Sequence, residues 1–287
     1  MIHVDNLTYR YPNTKIDTLH GLHFDIKKQE IFGFLGPSGS GKSTTQKILF
    51  GLLKGYSGRA NVLGREVSLW EQDYFERVGI CFEQPNHYLK LTGLENLSYF
   101  RSLYEGDTYT PTQVLKWVGL EQDADKPVSA FSKGMKVRLN VARSIIHKPD
   151  VLFMDEPTAG LDPRNARNIK DLILKLRDRG ATIFITTHNM MVADQLCDRI
   201  GLLDDGKITV IESPDVLKKQ HGQRTVRVEY IKQNGATDTS EFPIDELAEN
   251  KRFLDLLKSA RHIETIHTNE TTLEDIFIKL TGNTLHN

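Results

Sequence analysis

Cysteine is nearly absent from this chain, and its two residues, Cys81 and Cys197, lie far apart in apolar stretches. That excludes a disulfide framework or a cysteine-rich metal site and fits buried thiols in a reducing compartment. Long hydrophobic runs are missing too. No window approaches the roughly 18 apolar residues that a membrane span needs. The opening Met-Ile-His-Val-Asp does not read as a signal peptide. Nor is there an excess of one charge: 37 Lys and Arg stand against 38 Asp and Glu, a net charge of -1. Nothing there points to nucleic acid as a partner. There is no internal repeat and no low-complexity tract. What remains is an ordinary globular composition, 39% hydrophobic and 26% charged. Its 287 residues leave room for one large domain and a smaller one. The chain is expected in the cytoplasm, with any membrane role exercised through a partner.

The most informative stretch is Gly36-Pro37-Ser38-Gly39-Ser40-Gly41-Lys42-Ser43-Thr44. It follows the apolar run Ile31 to Leu35 and opens a helix-like segment, Thr44 to Leu53. Strand, glycine-rich loop and helix are the context of a Walker A phosphate loop. Glycines admit turns in which successive N–H groups point inward at phosphate oxygens. Lys42 adds a cation for the β- and γ-phosphates, Ser43 a hydroxyl for Mg²⁺, and the helix N-terminus its dipole. A turn without a ligand is the competing reading; the flanking elements favour a nucleoside triphosphate.

Around this loop the pattern is mixed. Ile2 to Tyr9 and Leu22 to Ile26 alternate apolar and polar residues, as strands with one solvated face do. Between Gln84 and about Pro149 the texture turns helical, in Leu94 to Leu103, Pro111 to Val118 and Val137 to His147. Two buried-strand runs follow, Val151 to Met154 and Ala181 to Ile185, joined by an amphipathic helix, Asn165 to Arg179. That is a βαβ unit of a parallel sheet. After about Lys219 the pattern restarts: strand Arg224 to Ile231, helix Glu246 to Ala260, strand His262 to Thr268 and helix Thr272 to Leu280.

Phosphoryl transfer to water needs a metal, a positioned nucleophile and donors for developing charge. The strand Val151 to Met154 runs into Asp155 and Glu156, at the sheet edge beside the phosphate loop. Asp155 would hold Mg²⁺, directly or through water, and Glu156 would polarise the attacking water. The strand from Ala181 ends in Thr186-Thr187-His188, whose imidazole could donate to the γ-phosphate or orient the water. Taken alone, a histidine after a strand is more often structural.

Together these pieces resemble the ATP-binding-cassette ATPases over about Ile2 to Lys218, and further motifs of that family appear in order. By that resemblance Gln84, in Cys81-Phe-Glu-Gln-Pro85, looks like the Q-loop glutamine, a metal and water contact. Phe131-Ser132-Lys133-Gly134-Met135 stands where the LSGGQ signature belongs, with Lys133 and Met135 departing from it. Ser132 and Gly134 keep the helix cap and the N–H that would face a partner's γ-phosphate. Ala159 to Asp162 looks like the D-loop, His188 like the switch histidine, and Tyr11 like the aromatic that stacks on adenine, although Tyr9 is a close neighbour.

The resemblance implies a fold and partners as well. The fold class is α/β: a P-loop cassette over 1–218, with an antiparallel β subdomain and a helical insertion at about 85–150, then a small α/β domain over 219–287. Each ATP of the family lies between the Walker A of one cassette and the signature of another, so a homodimer or a pair with a paralogue is expected. The segment Asn86 to Phe100 lies where such cassettes grip a separately encoded transmembrane permease. Thr272 to Gly282 resembles the closing motif of drug, lipid and polysaccharide exporters. The expectation is an exporter ATPase subunit using ATP and Mg²⁺ on the cytoplasmic face of the cell membrane. An importer subunit and a soluble, non-transport cassette ATPase are the alternatives. The short span between Lys42 and Ser132 leaves no room for the long coiled coil of DNA-repair members.

Overall fold

The computed structural model describes residues 1–222, 224–245 and 247–282. The described residues separate into two compact units, 1–213 and 214–282. Helix Pro214–His221 groups with the second unit, so the division falls ahead of the boundary expected at 218/219.

The first unit opens with an antiparallel sheet of β1 (Ile2–Tyr9), β2 (Leu19–Ile26), β4 (Ser57–Val62) and the short β5 (Arg65–Glu66), in the order β2-β1-β4-β5. Along β1 the buried residues are Ile2 and Val4, then Leu7 and Tyr9. Strict alternation would send the second pair to solvent. The register shifts between Val4 and Leu7, and Asn6 takes φ 51° there, so one extra residue returns both halves to the core.

A second sheet carries the site. It contains β3 (Ile31–Leu35), β6 (Val78–Cys81), β7 (Val151–Asp155), β8 (Thr182–Thr187), β9 (Arg199–Asp204) and β10 (Lys207–Glu212), ordered β10-β9-β3-β8-β7-β6. β3 runs parallel to both β8 and β9, β7 runs parallel to β8 and β6, and only β10 is antiparallel to its neighbour. Every residue of β3 and β8 is buried, as continuous apolar runs in a covered parallel sheet require. Phe32, Phe34, Phe153 and Phe184 project from this sheet, and Phe24 of β2 stacks on Phe32 with ring centroids 5.8 Å apart. The two sheets therefore share one aromatic core.

Helix α1 (Lys42–Leu49) follows β3, and the four-residue α2 (Tyr74–Arg77) precedes β6. The expected helical insertion is α3 (Gly93–Arg101), α4 (Pro111–Trp117) and α5 (Lys133–Ile145), which pack on one another. Thr92 with Glu95, and Thr110 with Gln113, form reciprocal capping boxes at the heads of α3 and α4. α5 starts before Val137, the first residue of the apolar repeat, because Ser132 caps it: Ser132 Oγ accepts from Met135 N–H at 3.2 Å. α6 (Pro163–Asp178) joins the parallel strands β7 and β8, and α7 (Met190–Leu196) follows β8.

The second unit holds α8 (Pro214–His221), β11 (Arg224–Ile231), β12 (Thr237–Pro243), α9 (Lys251–Ser259), β13 (His262–Glu270) and α10 (Leu273–Thr281). Its sheet is antiparallel, ordered β12-β11-β13. Val226, Val228, Phe242 and Phe253 form its core. α10 packs on α8 and buries Leu273, Ile276 and Phe277. Asn250 caps α9, so that helix begins later than the expected Glu246, which lies outside the described residues, as do 283–287.

Candidate functional site

The loop between β3 and α1 is shaped by its glycines. Gly39 and Gly41 take φ 84° and 106°, in the left-handed region that disfavours a side chain. A Cβ on Gly36 would stand 2.0 Å from the backbone oxygen of Leu203, on the neighbouring strand β9, so only glycine lets the loop leave the sheet here. The loop is further tied by Ser40 N–H donating to Pro37 O at 3.2 Å. Lys42 reaches back over it, and its Nζ donates to Gly36 O and Pro37 O, each at 2.8 Å. Burial pushes the Lys42 ammonium below its ordinary pKa, while Glu156, Asp155 and Glu83 pull it back up.

This loop forms one wall of a cleft of about 280 Å³. Ser38, Gly39, Gly41, Lys42, Ser43 and Thr44 line it from one side, and Glu83, Asp155, Glu156 and His188 from the other. The sheet register brings them together, since Asp155 pairs with Thr186 where β7 and β8 end. Both oxygens of Asp155 are oriented: Thr186 Oγ1 donates to Oδ1 at 2.5 Å and Ser43 Oγ to Oδ2 at 3.3 Å.

Glu156 sits just past the strand with φ 47°. That backbone strain is offset by three donors to its carboxylate. Thr187 Oγ1 reaches Oε2 at 2.8 Å, while His188 N–H and His188 Nδ1 reach Oε1 at 2.7 and 2.6 Å. An ionised carboxylate can only accept, so Nδ1 carries the proton, and in the neutral ring Nε2 is an acceptor.

The other expected residues fall in three places. Tyr11 OH lies 3.1 Å from Thr44 Oγ1 at the end of the phosphate loop, and Tyr9 packs edge-on against its ring. Ser132, Lys133 and Gly134 head α5, outside the residues that line the cleft. A Cβ on Gly160 would come within 3.3 Å of Lys133 Cε, and one on Gly134 within 3.4 Å of Leu161, so the head of α5 lies against the turn before Asp162. Asp162 caps α6, accepting from Asn165 N–H at 3.0 Å, and that bond holds its carboxyl below the usual range. Gln84 is the exception. Both it and its neighbour Glu83 are exposed, and of the two Glu83 lines the cleft. The sequence reading singles out Gln84; that Glu83 lines the cleft is seen only once the segment is packed.

The cleft offers inward-facing backbone, one ammonium, hydroxyls and carboxylates, a set suited to phosphate accompanied by a hard cation. No group of three His, Cys, Asp or Glu among the described residues could hold a metal by itself. Mg²⁺ takes one or two carboxylates and completes its shell with water and substrate phosphates. A larger cavity of about 760 Å³ lies within the second unit, lined by Asp215, Lys218, Lys219 and Arg224 among others. It has no glycine-rich loop and no acidic strand end.

Residues 19–159 match the family model described as ABC transporter, and residues 224–270 match that of the fluoroquinolone efflux ABC transporter C-terminal domain. A fluoroquinolones export ATP-binding protein of Mycobacterium tuberculosis is 51% identical over 285 residues, 99% of this chain and 94% of that protein. A linearmycin resistance ATP-binding protein of Bacillus subtilis is 31% identical over 312 residues, covering 99% of each. Among solved structures, an ATP binding subunit of an ABC transporter aligns with TM-score 0.69 at 25% identity, over 77% of this chain and 92% of the other. A dimeric ATP-binding cassette in a post-hydrolysis state with ADP and Pi aligns with TM-score 0.68 at 28% identity, over 74% of this chain and 98% of the other.

Proposed function

The chain belongs to the ABC transporter family as an ATP-binding, ATP-hydrolysing subunit of an exporter, and on that premise we propose that its Gly36–Thr44 cleft is the nucleotide site and that the exporter carries fluoroquinolone-like drugs. The observation that carries the site reading is the convergence of the glycine loop, Lys42, Ser43, Asp155, Glu156 and His188 on one cleft. The drug class rests on the likeness to the mycobacterial export protein over nearly the whole chain and on the match of 224–270.

The geometry supports a role for each of these residues. Backbone N–H groups of Gly39 to Ser43 and the head of α1 cradle phosphates, and Lys42 exchanges its two loop carbonyls for phosphate oxygens. Ser43 and Asp155, already 3.3 Å apart, would hold Mg²⁺. Bound there, the ion would supply positive charge to offset that of the phosphates. Glu156 takes a proton from the attacking water, held in place by Thr187 and His188. With Nδ1 committed to Glu156, His188 has Nε2 left to orient that water. Tyr11 stacks on the base.

Ser132 and Gly134 stand outside the chain's own cleft, which supports their use on the nucleotide of a second cassette. The alignment with a dimeric cassette supports the same pairing. No described helix is long and apolar enough to cross a membrane. The likeness to export ATP-binding proteins supports a separately encoded permease as partner and a place on the cytoplasmic face of the membrane. A docking groove is available in the first unit. Phe75, Phe82, Phe100 and Tyr104 line a pocket of about 260 Å³, and Tyr88 and Leu89 remain half exposed nearby in sequence.

The test is drug accumulation in cells producing the subunit with its membrane partner. Accumulation of a fluorescent fluoroquinolone should fall with the parental pair and recover with Lys42→Ala. Equal accumulation in both, with ATP hydrolysis intact in the parent, would reject the drug class.

A further inference from the structure

Glu83 is an acidic residue in a cleft that must accept a polyanion. The chain brings it there through β6. Cys81 pairs with Met154 of β7, so the segment that follows β6 runs out at the level of Asp155 and Glu156. Two contacts hold the segment just ahead of Glu83: Phe82 packs edge-on against Phe50, with centroids 5.7 Å apart, and Asn140 Nδ2 donates to Phe82 O at 2.7 Å. Beyond it, Arg143 Nη1 donates to Asn86 O at 2.7 Å. Asn140 and Arg143 both belong to α5, so the placement of Glu83 is tied to the helix that Ser132 caps. The cleft therefore sets three carboxylates, Glu83, Asp155 and Glu156, around the one ammonium of Lys42.

We propose that Glu83 makes nucleotide binding conditional on the divalent ion, excluding metal-free nucleotide from the cleft. The inference rests on reading this cleft as the nucleotide site. The phosphates of free ATP meet a third negative charge there, whereas an ion bound with the phosphates turns the same charge into an attraction. A neutral amide at this position, such as Gln84 would have supplied, offers an oxygen but cannot discriminate in this way. Glu83 is a specificity-determining residue for metal-bound nucleotide, and α5 positions it.

The experiment measures ATP affinity of the purified full chain by equilibrium dialysis, once in excess EDTA and once in saturating Mg²⁺, for four proteins: parent, Glu83→Gln, Glu83→Asp and Lys42→Ala. Glu83→Gln should bind metal-free ATP about three- to tenfold more tightly than the parent, the effect of one unit charge a few ångströms away in a partly solvated site. Its advantage for Mg²⁺-ATP over free ATP should shrink accordingly. Glu83→Asp keeps the charge and should stay near the parent, which a merely structural role for the side chain would not predict. An unchanged ratio of the two affinities in Glu83→Gln, or the same shift in Glu83→Asp, overturns the inference while Lys42→Ala still loses binding under both conditions. Parental affinity in Lys42→Ala would instead remove the nucleotide-site reading, and the inference with it.

Discussion

Replacing Glu156 by glutamine separates chemistry from structure at this site. The native carboxylate accepts from Thr187 Oγ1, His188 N–H and His188 Nδ1 at 2.8, 2.7 and 2.6 Å. In Glu156→Gln the amide oxygen can take the Oε1 position and keep the His188 donors. The amide nitrogen can take the Oε2 position and donate to Thr187 Oγ1, since a hydroxyl also accepts. No buried polar group loses its partner, the left-handed backbone at φ 47° is the same for both residues, and stability should change by less than about 1 kcal/mol. The proton acceptor is lost, however. A positioned general base is worth about 10²- to 10⁴-fold in rate, or about 3–5 kcal/mol of barrier. Phosphate release under saturating Mg²⁺-ATP should therefore fall by that factor while ATP affinity stays near parental, and an ATP-loaded dimer should accumulate in gel filtration. Parental turnover in a variant that still binds ATP would refute the assignment of Glu156 as the base.

Three further outcomes are expected. Gly36→Ala should cost nucleotide affinity, because its Cβ meets the Leu203 carbonyl 2.0 Å away and the loop must move; dialysis showing parental affinity would contradict this. Ser132→Arg should bind ATP nearly normally yet fail to hydrolyse it, since the added cation blocks closure onto a second cassette; binding lost as fully as in Lys42→Ala would instead place the signature in its own chain's pocket. Phe277→Ala removes a fully buried ring from the second unit and should cost about 3–5 kcal/mol there. Faster hydrogen exchange in α10 and α8 reads that loss, and unchanged protection in both helices would show that the ring does not anchor them.

Much of the cleft was legible because its parts are local. The loop from Gly36 to Thr44 declares its own geometry, and the strands ending in Asp155 and Thr187 are short apolar runs with polar ends. Other features depend on distant neighbours. β12 is a polar edge strand with Phe242 as its one buried residue, so no alternation marks it. β6 has four residues and owes its place to pairing with β7. The bulge in β1 is invisible until two partners fix the register on either side of it. Glu83 and Gln84 are adjacent and alike in length, differing only in a carboxylate oxygen against an amide nitrogen, yet contacts from Phe50 and Asn140 at the preceding residue go with Glu83, not Gln84, lining the cleft. The reach of Lys133 toward Gly160 likewise needed the two loops in place.

The strand order also sets a timetable for the newborn protein. β3 lies between β8 and β9, so the glycine loop is translated long before the strands that flank it. At ribosomal speeds of about 5–20 residues per second, the roughly 150 residues separating Lys42 from Thr187 take about 7–30 s to appear. Until then β3 has neither of its partners in the sheet, and its apolar run is exposed to aggregation. A nascent chain stopped short of Thr182 should therefore have no competent nucleotide cleft, however complete its phosphate loop, and it is in this interval that a chaperone has most to protect.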